Sequence, residues 1–83
     1  MPYVNQERRG ELDLVVISMA RADICADGDL NYVLHKFALR HVPHNYNSIK
    51  NYIGELEETI AEIRRKILAP YEDLKEKENG KIT

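Results

Sequence analysis

IKNYIGELEETIAEIRRKI, residues 49–67, is the stretch of sequence that decides the fold. Its large aliphatic residues are separated by 4, 3, 4, 3 and 4 positions; they are Ile49, Ile53, Leu56, Ile60, Ile63 and Ile67, here called the ridge. This unbroken heptad alternation is typical of a helix whose apolar seam packs against other helices at a shallow angle of about 20°. The stretch therefore predicts a long helix that needs partners.

Two further helices precede it. Apolar residues at i, i+3, i+4, i+7 spacing predict a helix near residues 5–25, on Leu12, Val15, Val16 and Met19. A second apolar stripe predicts a helix over residues 29–42, on Leu30, Val33, Leu34, Phe37, Ala38 and His41. Gly28 and its neighbouring aspartates form the turn between them, because glycine accepts positive φ and aspartate caps helices.

Prolines and glycines set the remaining boundaries. Pro43 ends the second helix, because it lacks a backbone donor and restricts the residue before it. Asn47 or Ser48 is expected to cap the third helix, over residues 47–68. Pro70 interrupts it, and a short solvated helix over 70–78 ends at Gly80.

These elements predict an all-α fold: a small three-helix bundle with a short C-terminal helix, the long third helix being kinked at Pro70. The chain has 83 residues, 43% of them hydrophobic but only 7% aromatic, so its core must be aliphatic. We expect one helical domain over residues 1–83. A domain of this size is marginally stable, which favours a homo-oligomer.

Charge and cysteine content limit the function classes. Fourteen acidic and 12 basic residues give a net charge of −2, which makes nucleic-acid binding unlikely. A lone Cys25 excludes an internal disulfide and a multi-thiolate zinc site. No apolar stretch approaches the roughly 20 residues of a transmembrane helix, so we expect a cytoplasmic protein without a membrane partner.

Acidic residues on the third helix suggest an enzymatic alternative. All-helical nucleotide pyrophosphohydrolases hold Mg²⁺ with paired carboxylates, and Glu55, Glu58 and Glu62 have i, i+3 and i, i+4 spacing. They fall on outer heptad positions, however, and no E-x-x-D pair follows, so a solvated acidic face is the favoured interpretation. No metal site, cofactor or catalytic residue is predicted, since the histidines lack zinc spacing and nucleophile motifs are absent.

Basic residues cluster near the end of the same helix, at Arg64, Arg65 and Lys66. Cations at a helix C-terminus complement the macrodipole, and that is the favoured explanation. The alternative is a phosphate-binding pocket, in which guanidinium groups hold anionic oxygens and tyrosines cover a base or ribose.

Gly54 lies in the middle of the long helix, where glycine costs about 1 kcal/mol relative to alanine. We expect a neighbouring helix or a ligand to approach its backbone closely.

Several stretches, taken together, resemble a family of short proteins encoded by phages and prophages. They are the Met1-Pro2-Tyr3 start, Gly28-Asp29-Leu30-Asn31-Tyr32, Gly54-Glu55-Leu56-Glu57, Pro70-Tyr71-Glu72-Asp73 with Lys75, and Glu78-Asn79-Gly80. The resemblance covers nearly the whole chain, except that Lys81 follows Gly80 where the family carries aspartate. The family has no settled activity, so the resemblance implies a host-cytoplasm context and no mechanism.

From that context we expect a non-catalytic accessory protein that self-associates and binds a nucleotide-like small molecule, for example as an anti-defence sponge for a nucleotide immune signal. Phosphate contacts are expected from Arg8, Arg9, Arg64, Arg65 and Lys66, and base or sugar contacts from Asn31, Tyr32 and Tyr71. Two alternatives remain: the Mg²⁺-dependent pyrophosphohydrolase-like enzyme, and a protein–protein interaction module that inhibits a host factor through a helix in a groove.

Overall fold

A computed structural model describes residues 4–81, so the Met1-Pro2-Tyr3 motif lies outside the described residues. Every regular element in that range is helical, which confirms the all-α prediction. The elements are α1 (Gln6–Arg21), α2 (Gly28–His41), α3 (Tyr46–Ile63), a π-helical turn (Arg64–Leu68) and α4 (Ala69–Asn79). The chain divides into two units between Val42 and Pro43, α1 and α2 belonging to the first unit and the other elements to the second. The single domain over 1–83 stays a prediction.

Helix α1 begins where expected but ends four residues early. The Asn5 carboxamide caps it by accepting the Arg8 N–H at 3.1 Å. The helix ends at Arg21, because Asp23 adopts a left-handed backbone with φ +54°. Aspartate tolerates this conformation better than most residues. With no glycine or proline before Gly28, the sequence carried no clear stop signal.

Helix α2 confirms the predicted start and stop to within one residue, but the positive φ expected of Gly28 is wrong, because Gly28 is the first residue of the helix. The Asp27 carboxylate accepts the Asp29 N–H at 3.0 Å and caps the helix. At the other end Val42 is extended, with φ −95° and ψ 127°, as the clash with a following Pro43 requires.

Helix α3 starts one residue before the prediction and uses a different cap. Asn45, with an extended backbone, accepts the Ser48 N–H on its carboxamide at 2.9 Å. The expectation that Asn47 or Ser48 caps the helix is therefore wrong. Asn45 lies three residues before the amide it satisfies, which is the usual reach of a capping side chain.

The interruption expected near Pro70 is present as a change of hydrogen bonding. The Ala69 N–H bonds to the Arg64 carbonyl, five residues back, which defines the π turn. Pro70 cannot donate to residue 66, and its ring crowds the preceding turn, so a wider turn relieves that contact. Ile63 and Leu68 both keep right-handed helical angles, and the helical path is continuous from α3 into α4. A kink at Pro70 stays a prediction.

Helix α4 ends at the predicted stop. Gly80 takes φ +84° and its N–H bonds to the Glu76 carbonyl at 2.8 Å. A residue with a side chain would be strained there, which explains the glycine.

No side chain among residues 4–81 is buried. A bundle is stable when each helix covers the apolar faces of the others, and within each unit the described residues leave those faces at least partly exposed. The three-helix bundle and the oligomer therefore stay predictions, and both depend on what covers these faces.

Asn45→Ala is expected to lower the free energy of unfolding by about 1 kcal/mol, because the Ser48 amide loses its cap. Urea denaturation at fixed protein concentration, followed by circular dichroism, measures this. Asn51→Ala on the exposed surface of α3 is the matched control and should be neutral or slightly stabilising, since alanine has the higher helix propensity. Equal losses in both variants would contradict the capping role.

Candidate binding surfaces

The ridge is an extended apolar surface of the second unit. Its isoleucines are between 43% exposed, at Ile49, and 66% exposed, at Ile67, and Leu56 is half-exposed. Leu68, Tyr71 and Leu74 continue the exposed apolar surface past the π turn. Contiguous exposed apolar surface of this kind marks an interaction site.

Charged residues flank the ridge around a shallow groove in its centre. Glu57, Ile60, Ala61, Arg64 and Arg65 line this groove, here called the central groove. An acid stands at one end of an apolar floor and a base at the other. Within residues 4–81 no side-chain hydrogen bond or ion pair engages Glu57 or Arg64.

The predicted basic cluster is partly neutralised. Glu62 forms ion pairs with Arg65 and with Lys66, the latter at 3.5 Å, and its own side chain is only 25% exposed. Pairs at i, i+3 and i, i+4 on a helix surface each contribute a few tenths of a kcal/mol. Of the three cations, Arg64 is the one that Glu62 does not hold.

The other predicted site residues lie on three further elements. On α1, Arg8 pairs with Glu11, and the Arg9 Nε donates to the Val4 carbonyl at 2.8 Å. On α4, the Tyr71 ring is 56% exposed and lies 5.7 Å from the Lys75 ammonium.

Asn31 and Tyr32 lie beside two cationic side chains that suit an anionic ligand, Lys36 and Arg40. They line a groove on α2, here called the α2 groove, together with Gly28, His35, Lys36, Leu39 and Arg40. The Lys36 ammonium donates to the Tyr32 hydroxyl at 2.8 Å and lies 5.1 Å from the centre of its ring. Lys36 and Arg40 are functional candidates that the predicted site did not include; the i, i+4, i+8 spacing from Tyr32 is the signal that could have found them.

The eight predicted site residues are thus spread over α1, α2, the π turn and α4. Asn31 and Tyr32 line one groove and Arg64 and Arg65 another. Their convergence on one pocket stays a prediction, because the two sets belong to different units.

The acidic residues of the alternative metal site do not converge. Among residues 4–81 the only three potential metal-ligating side chains whose ligand atoms all lie within 4.8 Å of one another are Cys25, Asp27 and Asp29. All three are exposed. The two carboxylates are used locally: Asp27 caps α2, and Asp29 accepts the Cys25 N–H at 3.2 Å. Helix capping accounts for this cluster.

Gly54 is half-exposed, and a Cβ placed on it would meet nothing within 4 Å. Within the described part of the second unit, then, no helix approaches its backbone as closely as the sequence suggested. No helix of residues 4–81 is long and apolar enough to cross a membrane.

The chain belongs to the family DUF6899, a domain of unknown function, whose model matches residues 1–82. No curated protein and no solved structure shows significant similarity to it. The family description assigns no activity, and the phage origin suggested by the motifs stays a prediction.

Gly54→Ala is expected to raise the free energy of unfolding by about 0.8–1 kcal/mol, because alanine favours the helix and the space for its methyl group is open. Gly10→Ala in α1 is the matched control, since its Cβ position is equally open. Thermal unfolding of both variants measures the effect. If Gly10→Ala stabilises the chain and Gly54→Ala does not, another molecule packs against Gly54 and leaves no room for the added methyl group.

Proposed function

We propose that this DUF6899 protein is a non-catalytic helical protein that works by helix–helix association, with the ridge as its association surface. The observation that supports this is a ridge of six aliphatic residues, five exposed and Leu56 half-buried, on a chain without a single buried side chain in residues 4–81.

The energetics of apolar burial support association through the ridge. Fully burying one isoleucine or leucine contributes about 1.5–3 kcal/mol, and whole domains are stable by only about 5–15 kcal/mol. The ridge side chains are already about half-covered, so burying the remainder contributes roughly half of that full-burial value per residue, which over six positions is still a sizeable share of a domain's stability. A partner helix that covers them couples folding to association.

A nucleotide-like ligand is the second proposal, and the α2 groove supports it. Lys36 and Arg40 offer positive charge for phosphate, Asn31 offers an amide, and Tyr32 offers a ring on which a base stacks. A protein that assembles through its ridge and holds nucleotides on α2 without turning them over would act as a sponge. In a phage context that activity would remove a nucleotide immune signal in the host cytoplasm.

Ile60→Asp is expected to abolish self-association, because it places a charge in the middle of the ridge. Sedimentation equilibrium should show wild-type chain as an oligomer and the variant as a monomer, with lower helicity in circular dichroism. Asn51→Asp adds the same charge to the exposed surface of α3 and should leave the oligomer intact. A wild-type chain that is monomeric at all concentrations, with full helicity, would contradict the proposal.

Titration calorimetry with cyclic dinucleotides and ADP-ribose derivatives tests whether the protein binds a nucleotide-like ligand. We expect binding at micromolar concentrations or tighter, weakened at least about fivefold by Tyr32→Ala, since loss of base–aromatic stacking costs about 1–3 kcal/mol. Tyr46→Ala is the matched control, because Tyr46 also stacks with a lysine one turn on, Lys50 at 5.7 Å, but lies outside the α2 groove.

The same samples separate binding from catalysis. A sponge returns its ligand intact in chromatography. Release of pyrophosphate from deoxynucleoside triphosphates with Mg²⁺, lost on Glu58→Gln, would instead favour the enzymatic alternative. Retention of a host protein with no nucleotide bound would favour the interaction module.

A further inference from the structure

We infer that the occupant of the ridge is a second copy of this chain, whose long helix runs antiparallel to the first with Ile60 of each copy opposite Ile63 of the other. This inference rests on the association proposed above and adds the partner, the direction and the register. The observation behind it is the central groove, which has an acid at one end and a base at the other and therefore fits a second, inverted copy of the same groove.

Heptad positions define which charges flank the ridge. With Ile53, Ile60 and Ile67 at position a, and Ile49, Leu56 and Ile63 at position d, the charged flank at position e carries Lys50, Glu57 and Arg64. The opposite flank, position g, carries Tyr52, Thr59 and Lys66. Position e is therefore the flank on which acid and base alternate.

Glu57 and Arg64 cannot satisfy each other within one helix. They are seven residues apart, which is about 10.5 Å along the axis. Both are exposed, and no side-chain hydrogen bond or ion pair within residues 4–81 engages either of them. Two opposite charges separated by an apolar floor of Ile60 and Ala61 form a surface that fits a copy of itself rotated by 180°.

Two antiparallel helices bring the e flank of one beside the e flank of the other. With Ile60 opposite Ile63, Glu57 of each copy lies beside Arg64 of its partner, which gives two reciprocal ion pairs about one two-fold axis. The overlap then extends over nearly the whole of both long helices, and Ile49 comes opposite the Leu74 end of the partner.

The competing alignments are less favourable. Sliding the partner by one heptad, so that Leu56 lies opposite Ile60, brings Glu57 beside Glu57 and Lys50 beside Arg64, all like charges. Sliding by a second heptad restores opposite charges, Lys50 with Glu57, but sets Ile63 against Tyr46 at the very start of the partner's α3 and leaves Ile67 beyond it. A parallel pair sets e beside g, so that Glu57 meets Tyr52 and Arg64 meets Thr59, and neither charge meets its opposite.

Charge exchange at the two positions tests the register. Glu57→Arg and Arg64→Glu should each weaken dimerisation at least about tenfold in sedimentation equilibrium, because each turns two attractions into two repulsions. The double variant, Glu57→Arg with Arg64→Glu, should recover to within about threefold of wild type. As a matched control, Glu58→Arg makes the same charge change as Glu57→Arg at an outer heptad position and should have little effect.

Disulfide trapping tests the direction independently. In a Cys25→Ser background, a mixture of Ile60→Cys and Ile63→Cys chains should oxidise to the mixed dimer in preference to either homodimer. Preferential Ile60→Cys homodimers would show a parallel pair and overturn the inference, as would a wild-type trimer.

The outcomes separate this inference from the proposed function. Dimers that ignore the charge exchange at Glu57 and Arg64 would overturn the register and leave association through the ridge in place. A wild-type chain without any self-association would overturn both.

Discussion

The constraint on which the rest of the structure depends is that the second unit, over its described residues, leaves the aliphatic side chains of its ridge largely uncovered. From Tyr46 to Asn79 the backbone is helical without a break, a length of about 50 Å, and one face of that helix is aliphatic. An isolated helix gains little stability from its own hydrogen bonds, because each of them replaces a bond to water. The long helix is therefore best understood as one half of a packed structure.

Composition explains why another helix suits the ridge better than a sheet or a small molecule. The ridge has no aromatic residue and no polar interruption between Ile49 and Ile67, so it offers shape and apolar area without hydrogen-bonding groups. Interdigitating aliphatic side chains bury such a surface most completely. The flanking charges then decide which alignments are permitted, since apolar burial alone has no direction.

Sequence alone predicted the helices well, because apolar periodicity, Pro43 and Gly80 act through local chemistry. It placed the end of α1 too late and the cap of α3 on the wrong residue. Both errors arise at single residues. Asp23 takes a left-handed backbone that ends α1, and the Asn45 side chain accepts the Ser48 N–H three residues on. The candidate site was harder to predict, because convergence of Arg8, Asn31 and Arg64 would depend on tertiary or quaternary contacts that helical periodicity does not encode.

The three consecutive cations at the π turn determine whether the proposed dimerisation and the proposed anion binding would compete. Arg65 and Lys66 are held by Glu62, whereas Arg64 flanks the ridge and forms no ion pair with Glu62. A phosphate site that used all three would take Arg64 from the interface and release Glu62 from its ion pairs, so it would compete with dimerisation. The α2 groove uses Lys36 and Arg40 instead and makes no demand on the ridge. If the proposed dimer forms, an anion would therefore bind most readily on α2, because the contact between copies would occupy Arg64 at the π turn.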